Sequence, residues 1–233
     1  MPHDPELQDS PADNIIEAGI CNLRVMYKCG QLSFPVCLTL TVRTNLRGVH
    51  MSRLVGAVLR NGQGGAIEDT LRSICRDVNR TQKGCVVKCE FQYPVGDQFM
   101  GVSVKVEESG PIKYAFSKDG IAACPCSKKT CGIAHMQRAT LRLSLSSLQI
   151  IDFRDVSKKL DSCFSASLTE HLKRDEEAAK ILDAQNAPRF VEDLVRECLK
   201  LFPQANRIEA QSYESIHSHD AIAYWDRARA KLL

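Results

Sequence analysis

A chain of 233 residues with 44% hydrophobic and 25% charged residues has the composition of a globular protein with a substantial core. No apolar run approaches the roughly 20 residues that a membrane-crossing helix needs. The net charge of +3 is too small to argue for a nucleic-acid or membrane partner, although a local basic site for an anionic small ligand stays open.

Eleven cysteines, an odd number spread along a long chain, do not make the pattern of a small disulfide-stapled scaffold. Cys37, Cys75 and Cys198 occupy apolar positions of periodic segments, as small buried hydrophobes do in a reducing compartment. The opening MPHDPELQDSPADN is acidic and rich in Pro, Asp and Ser, without the basic and apolar regions of a signal peptide. It reads as a disordered lead-in over residues 1–15 of a cytoplasmic protein.

CNLRVMYKCGQLSFPVCLTLTVRTN carries β-branched and apolar residues on either side of a Cys-Gly turn, the signature of two paired strands. HMSRLVGAVLRN places Met51, Leu54, Val55, Val58 and Leu59 at helical spacing, and NGQGG stops that helix. AIEDTLRSICRDVNR repeats the helical pattern through Ile67, Leu71, Ile74, Cys75 and Val78, and two more strand segments follow. Residues 16–110 therefore read as β-β-α-α-β-β.

Residues 111–233 follow the same order. GPIKYAFSK is a strand, a Cys-rich loop follows, and QRATLRLSLSS alternates as a strand does. Three helical segments come next, the last with Phe190, Val191, Leu194, Val195 and Cys198 on one stripe. RIEAQSYES is a strand, and the closing segment is strand or helix, its alanines favouring helix at the end. The expected architecture is α+β, two similar units packed together.

IAACPCSKKTCGIAHMQR holds Cys124, Cys126 and Cys131 with His135 close behind. Structural zinc sites use four ligands, usually with two to four residues between partners, and Pro125 alone separates Cys124 from Cys126. A catalytic metal needs only three protein ligands and an open position; one Cys, His135 and a carboxylate from elsewhere would serve. YESIHSHDA places Glu214, His217, His219 and Asp220 within seven positions. A continuing strand puts both histidines on one side, whereas a turn at Ser215 lets Glu214 and His217 converge. That cluster is a polar surface turn or a source of a metal ligand or general acid/base. RGVHMSRL sets His50, Ser52 and Arg53 at a helix start, where free backbone N–H groups favour anions, or simply begins a helix. KRDEEAAK carries Glu176 and Glu177 on what is commonly a solvated helix face.

Taken together in chain order, GVHMSRL, CPCSK…AHMQR, LKRDEE, PRFVEDLVR and ESIHSHDA resemble the type IB GTP cyclohydrolase family from about Arg43 to Ala223. The archaeal GTP cyclohydrolases of methanopterin synthesis share that superfamily. The resemblance implies the tunnelling fold, with two ββααββ units per chain whose antiparallel sheets join into an oligomeric barrel. It implies a homotetramer with active sites between subunits, and one divalent metal per site (Zn, Fe or Mn). It further implies opening of the guanine ring of GTP at C8, formate release and reclosure to 7,8-dihydroneopterin triphosphate for folate or related pterin pathways.

By the same resemblance, Cys124, His135 and Glu177 hold the metal and Glu192 anchors the guanine edge. Glu214, His217 and His219 serve catalysis near the metal, His217 as proton donor and acceptor. Basic residues must face the triphosphate, and His50, Arg53, Lys128 and Arg138 are the candidates by their proximity to these motifs. LKRDEE lacks the family's proline, which leaves Glu176 or Glu177 as the acidic ligand, and Met136 stands where the family has an amide. These departures keep open a paralogue acting on another guanine nucleotide or stopping at a ring-opened intermediate. A non-catalytic pterin- or metal-binding relative of the same fold is the alternative from another class.

Overall fold

The computed structural model describes residues 7–61 and 64–230. The described residues divide into two compact units: those within 7–92, 103–113 and 147–150 form one, and those within 93–102, 114–146 and 151–230 the other.

In the first unit, β1 (Pro11–Cys29) pairs antiparallel with β2 (Leu32–Leu46), Tyr27 facing Phe34 across the turn. β2 pairs antiparallel with β3 (Val86–Val95), Val36 facing Phe91, and β4 (Gln98–Glu107) follows β3 in the strand order, the end of β3 and the first half of β4 counting with the second unit. Alternation along β2 turns Phe34, Val36, Leu38, Leu40 and Val42 inward. Helices α1 (Met51–Arg60) and α2 (Ile67–Asn79) supply the matching apolar stripes. On α2 these are the expected Ile67, Leu71, Ile74, Cys75 and Val78, all buried. On α1 only Leu54 and Ala57 are buried, while Met51 is 56% and Leu59 73% exposed. Helical spacing identifies the stripe, but the covered side is decided by what packs against it.

Part of the segment read as a disordered lead-in has regular structure: Leu7–Asp9 form a turn of 3-10 helix and β1 begins at Pro11. Residues 1–6 of that reading lie outside the described residues. Gln8 and Ser10 carbonyls accept from Gly48 and Arg47, which ties the segment to the end of β2.

In the second unit the strands are β5 (Ile112–Ala123), β6 (Met136–Ser147), β8 (Ala205–Ser212) and β9 (Ala221–Asp226), in that order, with the short β7 (Ala166–Ser167) on β5. β6 pairs antiparallel with β8, Ala139 facing Ser212, and β8 with β9. Gly120 lies on β5 opposite Ser167, and a methyl group there would meet the Phe164 ring at 2.2 Å. Helix α4 (Phe153–Cys163) and helix α6 (Val191–Leu201) bury their apolar faces. On α6 these residues are Val191, Leu194, Val195 and Cys198; Phe190 caps the helix and is 38% exposed, not part of the buried stripe. Helix α5 (Arg174–Asn186) buries only Ala184. The closing segment is strand β9 followed by the short α7 (Arg227–Ala230), so both expected forms occur.

All eleven cysteines are free. Cys75, Cys85, Cys89, Cys163 and Cys198 are buried, whereas Cys37 is half-buried rather than part of the core. The Cys85 thiol donates its proton to Cys75, which together with burial pushes it far up, and Cys198 is raised in the same way by its bond to Cys163. Burial raises Cys89 strongly. No helix among the described residues is long and apolar enough to cross a membrane.

Candidate active site

The cysteine-rich segment is not a plain loop: Pro125–Cys131 form a short helix, α3. Pro125 sits in its first turn, where its missing N–H costs nothing and its ring presets φ. Gly132 ends it with a φ of 82°, a left-handed value that glycine adopts without Cβ strain, and its N–H donates to Lys128 O at 2.9 Å. Cys131 has a structural task here, its thiol donating to Ser127 O at 3.1 Å and Ile133 O at 3.3 Å. Cys126 is exposed.

Cys124 and His135 are brought together by this short helix. The Cys124 N–H donates to His135 O at 3.0 Å. Ser127 Oγ donates to Cys124 O at 3.2 Å and accepts from the His135 N–H at 3.0 Å. Gln185 of α5 clamps the residue before His135, accepting from Ala134 N at 2.9 Å and donating to Ala134 O at 2.8 Å. Buried Ala123, Ala134 and Ala184 keep this junction thin enough for the clamp to reach.

His135 precedes β6 and Gln137 lies two residues on, so extended backbone points both to one side. Gln137 Oε1 is 2.9 Å from His135 Nδ1, and Gln137 Nε2 donates to Glu214 Oε1 at 3.1 Å. Ser215 Oγ lies 3.4 Å from the same Nδ1. Continuing the β6–β8 register beyond Ala139 and Ser212 brings Gln137 opposite Glu214, and Tyr213 N bonding to Arg138 O at 2.9 Å carries the pairing one step past the ladder.

Among the described residues, neither Cys124 Sγ nor His135 Nε2 has a hydrogen-bond partner. A thiol and an imidazole held by one short helix carry donor atoms of the kind that suits a divalent metal. No group of three His, Cys, Asp or Glu able to hold a metal ion forms among the described residues. Glu177 stands on the exposed first turn of α5, its N–H donating to Lys173 O at 2.9 Å and its carboxylate with no hydrogen-bond or ion-pair partner among them. Glu176 is engaged, its carboxylate accepting from Lys173 N at 2.7 Å at the helix start.

Glu192 is exposed in the first turn of α6, whose entry is tied to the same place by Arg189 N donating to Ala123 O at 2.9 Å, one residue before Cys124. The histidine segment follows the turn alternative: β8 ends at Ser212, and residues 213–220 bend away before β9. His217 and His219 are exposed there, their rings stacked 5.1 Å apart, and Asp220 accepts from Gln211 at 3.0 Å.

The basic residues divide. Arg138 is exposed beside this site, while the Lys128 ammonium is taken by the Gln185 carbonyl of α5. His50 and Arg53 belong to the first unit. His50 is 8% exposed, and its Nε2 lies 2.8 Å from Asp9 Oδ1, so the anion beside it in this structure is the chain's own carboxylate. Ser127, Gln137, Gln185 and Ser215 carry no charge or metal-ligand signature in the sequence; Ser127 lies inside CPCSK, Gln137 inside AHMQR and Ser215 inside ESIHSHDA, and Gln185 lies outside these motifs.

Residues 14–223 match the family model described as type I GTP cyclohydrolase FolE2. A GTP cyclohydrolase FolE2 of Thermosipho melanesiensis is 30% identical over 203 residues, 78% of each chain. One from Dictyoglomus turgidum is 30% identical over 224 residues, 86% of each chain. A GTP cyclohydrolase MptA of Aeropyrum pernix is 29% identical over 215 residues, 76% of each chain. Among solved structures, uricase from Arthrobacter globiformis matches at a TM-score of 0.52 and 12% identity, over 92% of this chain and 94% of that one, a likeness of fold alone.

Proposed function

Since the chain belongs to the type I GTP cyclohydrolase FolE2 family, we propose that it hydrolyses GTP at C8 of the guanine ring, releases that carbon as formate and recloses the remainder as 7,8-dihydroneopterin triphosphate. The observation that carries the chemistry is the backbone pairing of Cys124 with His135, each with an unengaged donor atom, and the link from His135 through Gln137 to Glu214.

In this reading Cys124, His135 and Glu177 hold a divalent metal, Zn, Fe or Mn. When bound, such a metal supplies Lewis acidity and lowers the pKa of a coordinated water from 15.7 towards about 7. Glu177 is preferred over Glu176 because the latter's carboxylate already closes the start of α5. Glu192 presents a carboxylate, which accepts two hydrogen bonds from the N1–H and 2-amino edge of guanine. His217 passes a proton to the imidazole nitrogen that departs on ring opening, with His219 stacked against it and Glu214 close to the same end of β8. Exposed Arg138 faces the triphosphate; Arg53 is proposed for the same task, and His50 and Lys128 would first have to leave Asp9 and Gln185.

The same reading carries a homotetramer of tunnelling-fold chains, each with two ββααββ units spanning about residues 16–110 and 111–233. The sheets would join between subunits, with active sites at the interfaces, and the product would enter folate or related pterin synthesis in the cytoplasm. The element order β1-β2-α1-α2-β3-β4 supports the first unit.

The test is incubation of the purified protein with GTP and Mn²⁺ or Zn²⁺. Formate and a pterin that fluoresces after oxidation are the expected products; no formate with any divalent metal would overturn the proposal.

A further inference from the structure

An imidazole that binds a metal through Nε2 must carry its proton on Nδ1, and something must hold it so. Here the acceptor at Nδ1 is Gln137 Oε1, at 2.9 Å. A glutamine amide can turn either end towards a neighbour, and only its surroundings fix which end. The other end of Gln137 faces Glu214 Oε1 at 3.1 Å. A carboxylate only accepts hydrogen bonds, so it selects the NH₂ end and leaves the oxygen for His135. With an acceptor fixed at Nδ1, the single N–H of a neutral imidazole lies there and the Nε2 lone pair is free. Ser215 Oγ, at 3.4 Å, is a second and weaker neighbour of Nδ1 whose hydroxyl can accept as well.

We infer that Gln137 is a positioning residue, a relay by which Glu214 fixes the orientation and proton placement of His135. The inference rests on the proposed metal role of His135, and it gives Glu214 a task exerted through Gln137 rather than by direct contact with substrate. The register explains why the relay is built this way: Gln137 shares a side with His135 along the chain and lies opposite Glu214 across β6 and β8.

The experiment uses the full chain, stripped of metal and titrated with Zn²⁺ or Co²⁺ against a chromophoric chelator. Gln137→Leu removes the acceptor and is expected to weaken metal binding about 10- to 100-fold, the usual cost of losing such a partner. The swap Gln137→Glu with Glu214→Gln rebuilds the relay with its polarity kept. The carboxylate then at position 137 would accept from Nδ1–H, and the amide then at position 214 would donate to that carboxylate. The swap is expected to recover affinity to within about threefold of the unaltered chain.

Carbon-13 NMR of the imidazole in the metal-free, unaltered protein supplies a readout that needs no variant, and the Nδ1–H tautomer is expected at His135. Unchanged affinity in Gln137→Leu, a swap no better than that variant, or an Nε2–H tautomer would overturn the inference. A protein that binds Zn²⁺ through this relay and releases no formate from GTP would overturn the functional reading and leave the inference standing.

Discussion

At the residue scale the site is organised by which polar atoms are already spoken for. Glu176 and Glu177 are adjacent acids at the start of α5, indistinguishable by composition. In the structure Glu176 accepts from Lys173 N at 2.7 Å, while Glu177 makes no such bond among the described residues. Their truncations should therefore differ in kind. Glu177→Ala is expected to lower bound metal, measured by elemental analysis after dialysis, with little change in thermal midpoint. Glu176→Ala is expected to retain metal but lose about 0.5–2 kcal/mol of stability, the usual worth of a helix cap. Reversed phenotypes would exchange the two roles. A cysteine near His135 was legible in the sequence because thiol and imidazole are chemically loud, while the choice of Cys124 among Cys124, Cys126 and Cys131 came from the family resemblance. Gln137 was not legible, since an uncharged amide acquires meaning only when strand register puts Glu214 opposite it.

At the element scale, periodicity read α2, β2 and most of α6 because each has one face covered and one wet. It failed where coverage is partial. Met51 and Leu59 keep helical spacing on α1 yet face outward, and α5 exposes Ile181 and Leu182. Helix α3 is too short for any apolar period; its legible signals were Pro125 at the start and Gly132 past the end. The first half of β1 was missed because it is exposed on both faces and so lacks alternation.

Gly120 is a further element-scale constraint. With the Phe164 ring 2.2 Å from where its Cβ would stand, Gly120→Ala must push the ring or the strand. That ring is 3% exposed, and the neighbouring Ser165 is itself held, its Oγ accepting from Ala123 N at 3.2 Å beside Cys124. Chemical denaturation is expected to show a loss of about 1–3 kcal/mol from overpacking. A loss below about 0.5 kcal/mol would mean the ring moves freely.

At the scale of the whole molecule, the thiols report on the integrity of the cores. Five buried cysteines should resist iodoacetamide in the native protein, leaving at most the six exposed or half-buried ones to react. Cys85, Cys89 and Cys198 are held above the ordinary thiol value of 9.0, by the Cys75 and Cys163 hydrogen bonds at the first and last and by burial at Cys89. A raised folded-state value means the native chain keeps protons that the unfolded chain gives up. Their contribution is therefore complete below about pH 9 and falls as pH rises above it. The thermal midpoint should drop as pH rises above about 9, and a midpoint that rises there would contradict the assignment.

The central claim, that this fold opens guanine at C8, is tested most directly with GTP carrying carbon-13 at that position. Followed by carbon-13 NMR in the presence of Zn²⁺ or Mn²⁺, the label is predicted to leave the nucleotide and appear as formate, with the unlabelled pterin triphosphate accumulating alongside. Label that stays in the purine, or stops in a ring-opened formyl nucleotide, would contradict it.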